Sequence, residues 1–247
     1  MTSETKRVIE ENIELIQKNK FEEIYSLQDS FDRSDFTQAL IECGINPLLH
    51  MDTVPQNYLL DSDVTEIVIP EGIYKIEASA FLDCSELKKV VLPQSLRYIK
   101  EEAFAECSNL EVVNLPENLE KIKDDAFANT GIKHLVIPNY VSTISRHSFE
   151  ECTKLETVKL GVNVNTLSFG CFGGCYSLRY VQLNNELKRI RSYAFKGCKK
   201  LKEIFIPETV AKIEENAFAG SNVKIICIED SPAHQFAKQY NYAFELI

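Results

Sequence analysis

Paired cysteines are the feature of this sequence that most resembles a chemical site. The segment CFGGC, residues 171–175, places two thiols four positions apart, a spacing that could hold a metal ion or form a redox couple. Five of the eight cysteines follow a phenylalanine by three residues: Cys84, Cys107, Cys152, Cys175 and Cys198. Thr130 and Ser221 take this position in two equivalent segments. The position therefore accepts small, weakly polar side chains, and we expect reduced, structural thiols.

Other candidate ligands and catalytic groups do not converge in the sequence. The four histidines are His50, His134, His147 and His234. They fall at unrelated positions, so we expect neither a zinc site nor another cofactor. Cys171 stands where most segments have alanine, and we expect it to serve packing. The acidic pairs Glu101–Glu102 and Asp124–Asp125 occupy equivalent positions and could bind a cation, but a solvated acidic ridge is the simpler interpretation. Without an HExxH, GxSxG or glycine-rich phosphate motif, the sequence predicts no enzyme.

A repeat of about 23 residues positions all of these side chains. Its marker phenylalanines are Phe81, Phe104, Phe127, Phe149, Phe172, Phe195 and Phe218. The seven units begin at Val64, Leu87, Leu110, Ile132, Leu155, Leu178 and Leu201, and a further strand-like segment begins at Val223. The first six positions alternate apolar and polar residues, as in LKKVVL, which predicts a strand with one buried face. Apolar residues three and four apart in the remainder are compatible with a turn or short helix.

The unit LxxVxLPxxLxxIxxxAFxxC resembles the BspA-like class of bacterial leucine-rich repeats over about residues 64–228. The resemblance implies an α/β leucine-rich-repeat solenoid with one parallel β-strand per repeat, and we expect these repeats to fill residues 61–228. The ending EDSPAHQFAKQYNYAFELI resembles the C-terminal element of the family. Residues 229–247 are therefore expected to form a cap, with a helix over about 232–240 after the N-cap Ser231 and then a final strand.

Residues 1–60 lack the repeat and are predicted to form either a helical N-terminal cap or a small partner-binding domain. Apolar residues at helical spacing predict helices over 5–27 and 34–43, the second ending before Gly44. The end of a solenoid exposes apolar core, which favours the cap over a dimerising unit. The segment GINPLLHMDTVP also loosely resembles leader segments of leucine-rich proteins encoded by phages and prophages of gut bacteria.

Charge restricts the partners that the chain can bind. The net charge of −10 and the pI near 5.0 argue against nucleic acids and anionic membranes. Residues 101–130 hold eight acidic and two basic residues, whereas residues 179–202 hold eight basic residues and one acidic residue. This separation suits oriented docking or head-to-tail self-association. The basic stretch has no interleaved aromatic surface for stacking on bases, so a nucleic-acid partner is not expected there either.

The N-terminus indicates where the protein acts. It carries charges every few residues and has no apolar stretch of a secretory signal, so we expect a cytoplasmic protein. No sufficiently long apolar segment occurs in the chain, so no membrane span is predicted. A surface-exposed or virion location is the alternative, since relatives of the BspA-like class are often exported.

Strand residues that point away from the core form the predicted binding surface. The candidates are Lys89, Val91, Val112, Asn114, His134, Val136, Thr157, Lys159, Tyr180, Gln182, Glu203 and Phe205, with Glu66 and Val68 in the first repeat. Tyr180 and Phe205 are the expected anchors for a protein partner. The resemblance implies a non-enzymatic protein-interaction module, of which a phage-encoded inhibitor of a host protein is one form. A structural, adhesin-type or virion-associated protein is the alternative.

Overall fold

The computed structural model describes residues 46–247 of the chain. The helices expected over 5–27 and 34–43, and with them the helical N-terminal cap, lie outside the described residues. The described part begins with a short 3₁₀ helix, Pro47–His50. The side chain of Asn46 caps this helix by accepting a hydrogen bond from the backbone N–H of Leu48 at 3.0 Å.

The described chain winds into a parallel β-solenoid of about eight turns with two strands in most turns. Three three-stranded sheets contain β2 (Glu66–Val68), β4 (Lys89–Val91), β6 (Val112–Val113), β8 (His134–Val136), β10 (Thr157–Lys159), β12 (Tyr180–Gln182), β14 (Glu203–Phe205), β16 (Lys224–Cys227) and β17 (Phe244–Leu246). One eight-stranded sheet contains β1 (Thr53–Val54), β3 (Lys75–Ile76), β5 (Tyr98–Ile99), β7 (Lys121–Ile122), β9 (Thr143–Ile144), β11 (Thr166–Leu167), β13 (Arg189–Ile190) and β15 (Lys212–Ile213).

The expectation of one β-strand per repeat was wrong, because each repeat forms two. The second strand is only two residues long, as in β3, where Lys75 is half-buried and Ile76 is buried. Two residues are too few to show alternation in a sequence, and the apolar spacing around them imitates a helix. Stacking brings equivalent segments of neighbouring repeats together, so that their backbone N–H and C=O groups pair across the repeats.

The marker phenylalanines stack along the centre of the solenoid. Neighbouring ring centroids are 4.9 to 5.7 Å apart, and the ring planes lie within 14° of parallel. All seven rings are fully buried. The turns around them are also joined, since the backbone N–H of Phe81 donates to the carbonyl of Ala103 at 2.8 Å. Each repeat thus buries its apolar face against its neighbours, which confirms the predicted register of the core.

Solenoid structure begins before the predicted boundary at residue 61. Strand β1 pairs in parallel with β3. Leu59 takes the place of a marker phenylalanine, because it is fully buried and its N–H donates to the carbonyl of Ala80 at 2.8 Å. Residues 53–62 therefore form an additional turn that lacks the recognisable motif. The role of the remainder of residues 1–60 stays a prediction.

A helix and a strand close the C-terminal end. The predicted helix is present as α1 (Pro232–Gln239), and its N-cap Ser231 accepts a hydrogen bond from the N–H of His234 at 3.2 Å. The ring of Phe236 packs 6.2 Å from that of Phe218, the last marker phenylalanine. Strand β17 then pairs in parallel with β16. No helix within residues 46–247 is long and apolar enough to cross a membrane.

Candidate binding surface

The outward side chains of the first strand of each turn form one continuous surface, here called the strand face. In the three-residue strands β2, β4, β8, β10, β12 and β14, the middle side chain is buried and the two flanking side chains point outward. The flanking residues form two columns. In chain order, the first column holds Glu66, Lys89, Val112, His134, Thr157, Tyr180, Glu203 and Lys224. The second holds Val68, Val91, Asn114, Val136, Lys159, Gln182, Phe205 and Ile226.

The structure places the twelve candidate residues on this one face. Eleven of them are exposed, and Thr157 is half-buried because it packs between His134 and Tyr180 of the adjacent strands. Strand alternation explains the arrangement, since every second side chain enters the core and the others are left outside. Their shared position is thus a consequence of the repeat, and a role for each of them in binding stays a prediction.

Apolar side chains make up much of the strand face. Six of them remain 41–60% exposed: Val68, Val91, Val112, Val136, Tyr180 and Phe205. A side chain of this type suits the strand conformation, but exposure of six in two adjacent columns leaves apolar surface in water on both sides of β10, whose outward residues are Thr157 and Lys159. We call these six residues the apolar band.

Polar residues on the same face largely pair with one another. Lys224 lies 3.5 Å from Glu203 and 2.6 Å from Glu245. The Nδ1 atom of His134 shares a hydrogen bond of 3.0 Å with the hydroxyl of Thr157. These contacts satisfy polar groups at both sides of the band, so the apolar side chains are the part of the surface that gains most from being covered.

The cysteine column is structural. Five thiols donate weak hydrogen bonds to backbone carbonyls of the preceding turn, with Sγ to O distances of 2.8 to 3.3 Å: Cys84, Cys107, Cys152, Cys175 and Cys198. Ser221 makes the equivalent bond through its hydroxyl at 2.7 Å. Burial raises the pKa of Cys152 to about 11 and that of Cys198 to about 12. The neutral thiol is a poor nucleophile and a poor metal ligand, so Cys152 and Cys198 have neither reactivity at neutral pH. The pKa of Cys84 is instead lowered by its hydrogen bond with the thiol of Cys107.

The two cysteines of CFGGC do not form a separate site. Cys175 belongs to the column, and Cys171 is fully buried in the alanine position before Phe172. Burial raises the pKa of both thiols well above the ordinary value. All seven cysteines in residues 46–247 are free thiols. The segment is therefore a packed turn of the repeat.

Two tyrosines lie beside lysines at the basic end of the solenoid. The ammonium group of Lys196 lies 5.4 Å from the ring centroid of Tyr193, and that of Lys199 lies 5.4 Å from the ring of Tyr176. These cation–π contacts already occupy a face of each ring. The expectation that a nucleic acid does not bind there stays a prediction.

One further cluster was missed in the sequence. Asp125, His147 and Glu150 bring potential ligand atoms within 4.8 Å of one another. The signal was present, because Asp125 and His147 each stand two residues before a marker phenylalanine. The position holds aspartate in one repeat and histidine in the next, so the positions of the histidines alone do not show it.

Stacked repeats, a central phenylalanine ladder and an exposed strand face define the class of the protein as a leucine-rich-repeat solenoid. More narrowly, the chain belongs to the family of the BspA type leucine-rich repeat region, whose six-copy model matches residues 52–131 and 120–245. None of the curated proteins matches the chain.

Solved structures of bacterial leucine-rich-repeat proteins are similar to this chain. A leucine-rich repeat protein from Bacteroides ovatus is 32% identical with a TM-score of 0.69, over 72% of this chain and 47% of its own. One from Eubacterium ventriosum is 29% identical with a TM-score of 0.64, over 69% of this chain and 46% of its own. The pneumococcal vaccine antigen PcpA, at 22% identity and a TM-score of 0.51, shares the fold over 79% of this chain and 44% of its own. The matches span about half the length of these three proteins.

Proposed function

We propose that the protein is a non-enzymatic binding module that recognises a partner protein through its strand face. The apolar band supports this function most directly. It holds six partly exposed apolar side chains, including Tyr180 at 58% and Phe205 at 41% exposure. Aromatic side chains at the centre of an interface commonly supply most of its binding energy.

The rigidity of the strand face supports the same function. Its side chains extend from strands whose middle residues are fixed in the core, as Val158 and Val181 are. Parallel ladders hold β8, β10 and β12 in register. A surface fixed in this way loses little conformational entropy when a partner binds, so more of the contact energy appears as affinity.

Affinity capture with matched variants tests the proposal. The full chain would be used as bait in an extract of the cells that produce it, beside a Tyr180→Ala/Phe205→Ala double variant. We expect a captured protein to be lost with the double variant, and its measured affinity to fall at least about 30-fold, because two anchors are removed.

Tyr140→Ala is the matched control, since this tyrosine is 64% exposed but lies outside the strand face. The control should capture the same protein with unchanged affinity. If the double variant binds as well as the unchanged chain, or if Tyr140→Ala weakens binding equally, the strand face is not the recognition surface.

The hypothesis of a phage-encoded inhibitor is a narrower form of this proposal. The similar structures come from bacterial proteins and give it no support. An inhibitor would have to suppress an activity of the captured protein in a purified two-component assay. Capture of a partner whose activity is not suppressed would support the binding module and exclude the inhibitor role.

A surface or adhesin-type protein is the second candidate function. Free thiols favour a cytoplasmic location when they are exposed, because exposed thiols are oxidised outside the cell. The seven described cysteines are all buried, so their reduced state does not favour the cytoplasm. Burial thus makes the fold compatible with either compartment. Protease treatment of intact cells distinguishes them, since a surface protein is cleaved while the cells remain closed and a cytoplasmic protein is not.

Head-to-tail association is a separate proposal about partners, and it depends on the basic end. Six side chains there have no ion pair within residues 46–247: Arg179, Arg189, Lys196, Lys199, Lys200 and Lys202. They lie several turns from the acidic residues of 101–130, so one molecule offers two surfaces of opposite sign. Sedimentation at low and high salt tests the idea: self-association should occur at low salt and disappear in Lys199→Glu/Lys200→Glu.

A further inference from the structure

Three potential metal ligands meet on the turn side of the solenoid, away from the strand face. Asp125, His147 and Glu150 each offer one ligand atom, and these atoms lie within 4.8 Å of one another. Within the described part of the chain, no other group of three histidine, cysteine or acidic residues converges in this way. One imidazole and two carboxylates form a ligand set that zinc and similar divalent transition ions accept.

The repeat itself positions the ligands. Asp125 and His147 occupy the same turn position in adjacent repeats, and both have left-handed backbone conformations, with φ of 57° and 52°. The N–H of Asp125 donates to the carbonyl of Arg146 at 3.0 Å, which ties this turn to the next. Glu150 stands three residues after His147, on the same turn. Two ligands of one turn and one of its neighbour are thus held by backbone hydrogen bonds rather than by flexible loops.

Gly170 makes room for the imidazole. It holds the equivalent turn position in the following repeat, where a Cβ atom would lie 2.6 Å from Nδ1 of His147. Backbone conformation alone does not require glycine there, because Glu102 and Tyr193 hold the same position with φ of 55° and 63°. The ring of Phe169 packs edge-on against the imidazole at 5.2 Å. The neighbouring repeat therefore shapes a niche for His147.

The Nδ1 atom of His147 is not satisfied within this niche. It is shielded from solvent and lies 2.7 Å from Oε2 of Glu150, but it forms no hydrogen bond with any described residue. A buried polar atom in a native protein usually has a partner. An imidazole nitrogen 2.7 Å from a carboxylate oxygen, without a hydrogen bond between them, is an arrangement that a cation bound to both atoms would stabilise.

The surroundings add negative charge. Asp124 and Glu102 act electrostatically on the carboxylate of Asp125 together with Arg146, the one arginine near it. The guanidinium of Arg146 is directed to Asp124, at 3.9 Å. The acidic residues around the niche therefore outnumber its cationic ones, and the local potential attracts a divalent cation.

We propose that Asp125, His147 and Glu150 bind a divalent transition metal ion of the zinc class. A four-coordinate zinc ion places its ligand atoms roughly 3.4 Å apart, so small side-chain rotations convert the observed spacing into a coordination shell. Three protein ligands leave one position of the ion to water. The ion joins turns of two adjacent repeats that contribute no residue to the strand face, and this site is independent of the proposed protein-binding function.

Calorimetric titration of the metal-free full chain with zinc chloride tests the site. We expect about one zinc ion to bind per chain. Three conservative variants should each weaken zinc binding at least tenfold, as the loss of a ligand requires: Asp125→Asn, His147→Asn and Glu150→Gln. Asparagine tolerates the left-handed backbone at the first two positions, and glutamine keeps the shape of glutamate, so the fold is retained. A zinc-induced rise in melting temperature should disappear in the same variants.

His134→Asn is the matched control, because His134 lies on the strand face and is remote from the cluster in the repeat. It should bind zinc as the unchanged chain does. The proposal is overturned if zinc does not bind, or if the three variants bind it with unchanged affinity. It is equally overturned if magnesium chloride binds as tightly as zinc and His147→Asn retains that binding, because the site would then be a general acidic surface without a role for the imidazole.

Discussion

The cysteine thiols of the column donate hydrogen bonds to backbone carbonyls. A thiol of the cysteine column, such as Cys152, donates to the carbonyl of Phe127 in the preceding turn at 3.1 Å while excluded from water. Thr130, from the shortened repeat, meets the same sulfur at 3.1 Å and donates its own hydroxyl proton to Phe127. A small side chain with one hydrogen-bond donor fits where two turns approach closely, which explains why cysteine, serine and threonine share the position.

Alkaline pH should destabilise the protein through these thiols. Burial raises the pKa of Cys152 from an ordinary value of 9.0 to about 11, so between these values the unfolded chain loses the proton and the folded chain keeps it. The contribution of such a thiol to the free energy of unfolding is fully present below pH 9. It is lost as the pH rises toward 11, by up to about 1.4 kcal/mol per pH unit for each such thiol. Urea unfolding at about pH 8 and pH 10 measures the loss.

A Cys152→Ser/Cys198→Ser variant separates the thiols from other groups that titrate at high pH. Serine occurs naturally at this position as Ser221, so the variant is expected to fold. Its stability should fall less between the two pH values than that of the unchanged chain. Equal losses in both proteins would mean that the buried thiols do not govern the alkaline response.

At the scale of elements, each strand depends on the same element in the next repeat. The two-residue strands of the eight-stranded sheet are too short to be stable alone and form because eight of them stack in parallel. The repeat that begins at Leu110 is one residue shorter than the others and ends at Gly131. The fold tolerates this because Gly131 lies directly against the preceding turn, where a Cβ atom would be 2.6 Å from the carbonyl oxygen of Ser108. The phenylalanine ladder gives the elements their common centre.

Truncation of a ladder ring should destabilise the protein strongly. Phe127 is fully buried and stacks 5.2 Å from Phe104 and 5.4 Å from Phe149. We expect Phe127→Ala to lower the free energy of unfolding by about 3–5 kcal/mol, since the rigid repeats on both sides prevent the cavity from closing. Urea unfolding measures this change. Val136→Ala, at an exposed strand-face position, should change stability by less than about 1 kcal/mol; similar losses for the two variants would contradict the assigned core.

The whole molecule behaves as a linear stack, because each turn contacts mainly the turns beside it. Its ends are therefore the places where the structure opens. At the C-terminal end, α1 covers the last turn by placing Phe236 against Phe218 and Tyr242, with ring centroids 6.2 Å and 5.4 Å apart. At the other end, the additional turn at residues 53–62 covers the first marker phenylalanine.

Loss of the C-terminal cover should open the solenoid from that end. In Phe236→Ala, we expect amide hydrogens of residues 203–227 to exchange faster, while those of 132–160 keep their protection, because contacts are local. Native-state hydrogen exchange monitored by mass spectrometry resolves the two regions. Lys238→Ala, an exposed position of the same helix, should leave both unchanged. Uniform loss of protection along the chain would show that the solenoid unfolds as one unit.

Much of the fold was predictable from the sequence because the repeat is regular. The phenylalanine spacing identified the core, the alternation in LKKVVL identified the first strand and its outward residues, and Ser231 with Pro232 identified the final helix. Each of these signals is local in the chain, or repeats at a fixed interval, and physical constraints on burial and capping make it specific. The family and the position of the strand face followed from them.

Tertiary structure decided what depends on the alignment of neighbouring turns. The second strand of each repeat is invisible in two residues and arises from pairing between repeats. The additional turn at Leu59 has no motif and is defined by its hydrogen bond to Ala80. The convergence of Asp125, His147 and Glu150 depends on the stacking of two turns and on the space left by Gly170. A sequence specifies which side chains a turn carries, but distances between side chains of different turns are set only when the turns pack.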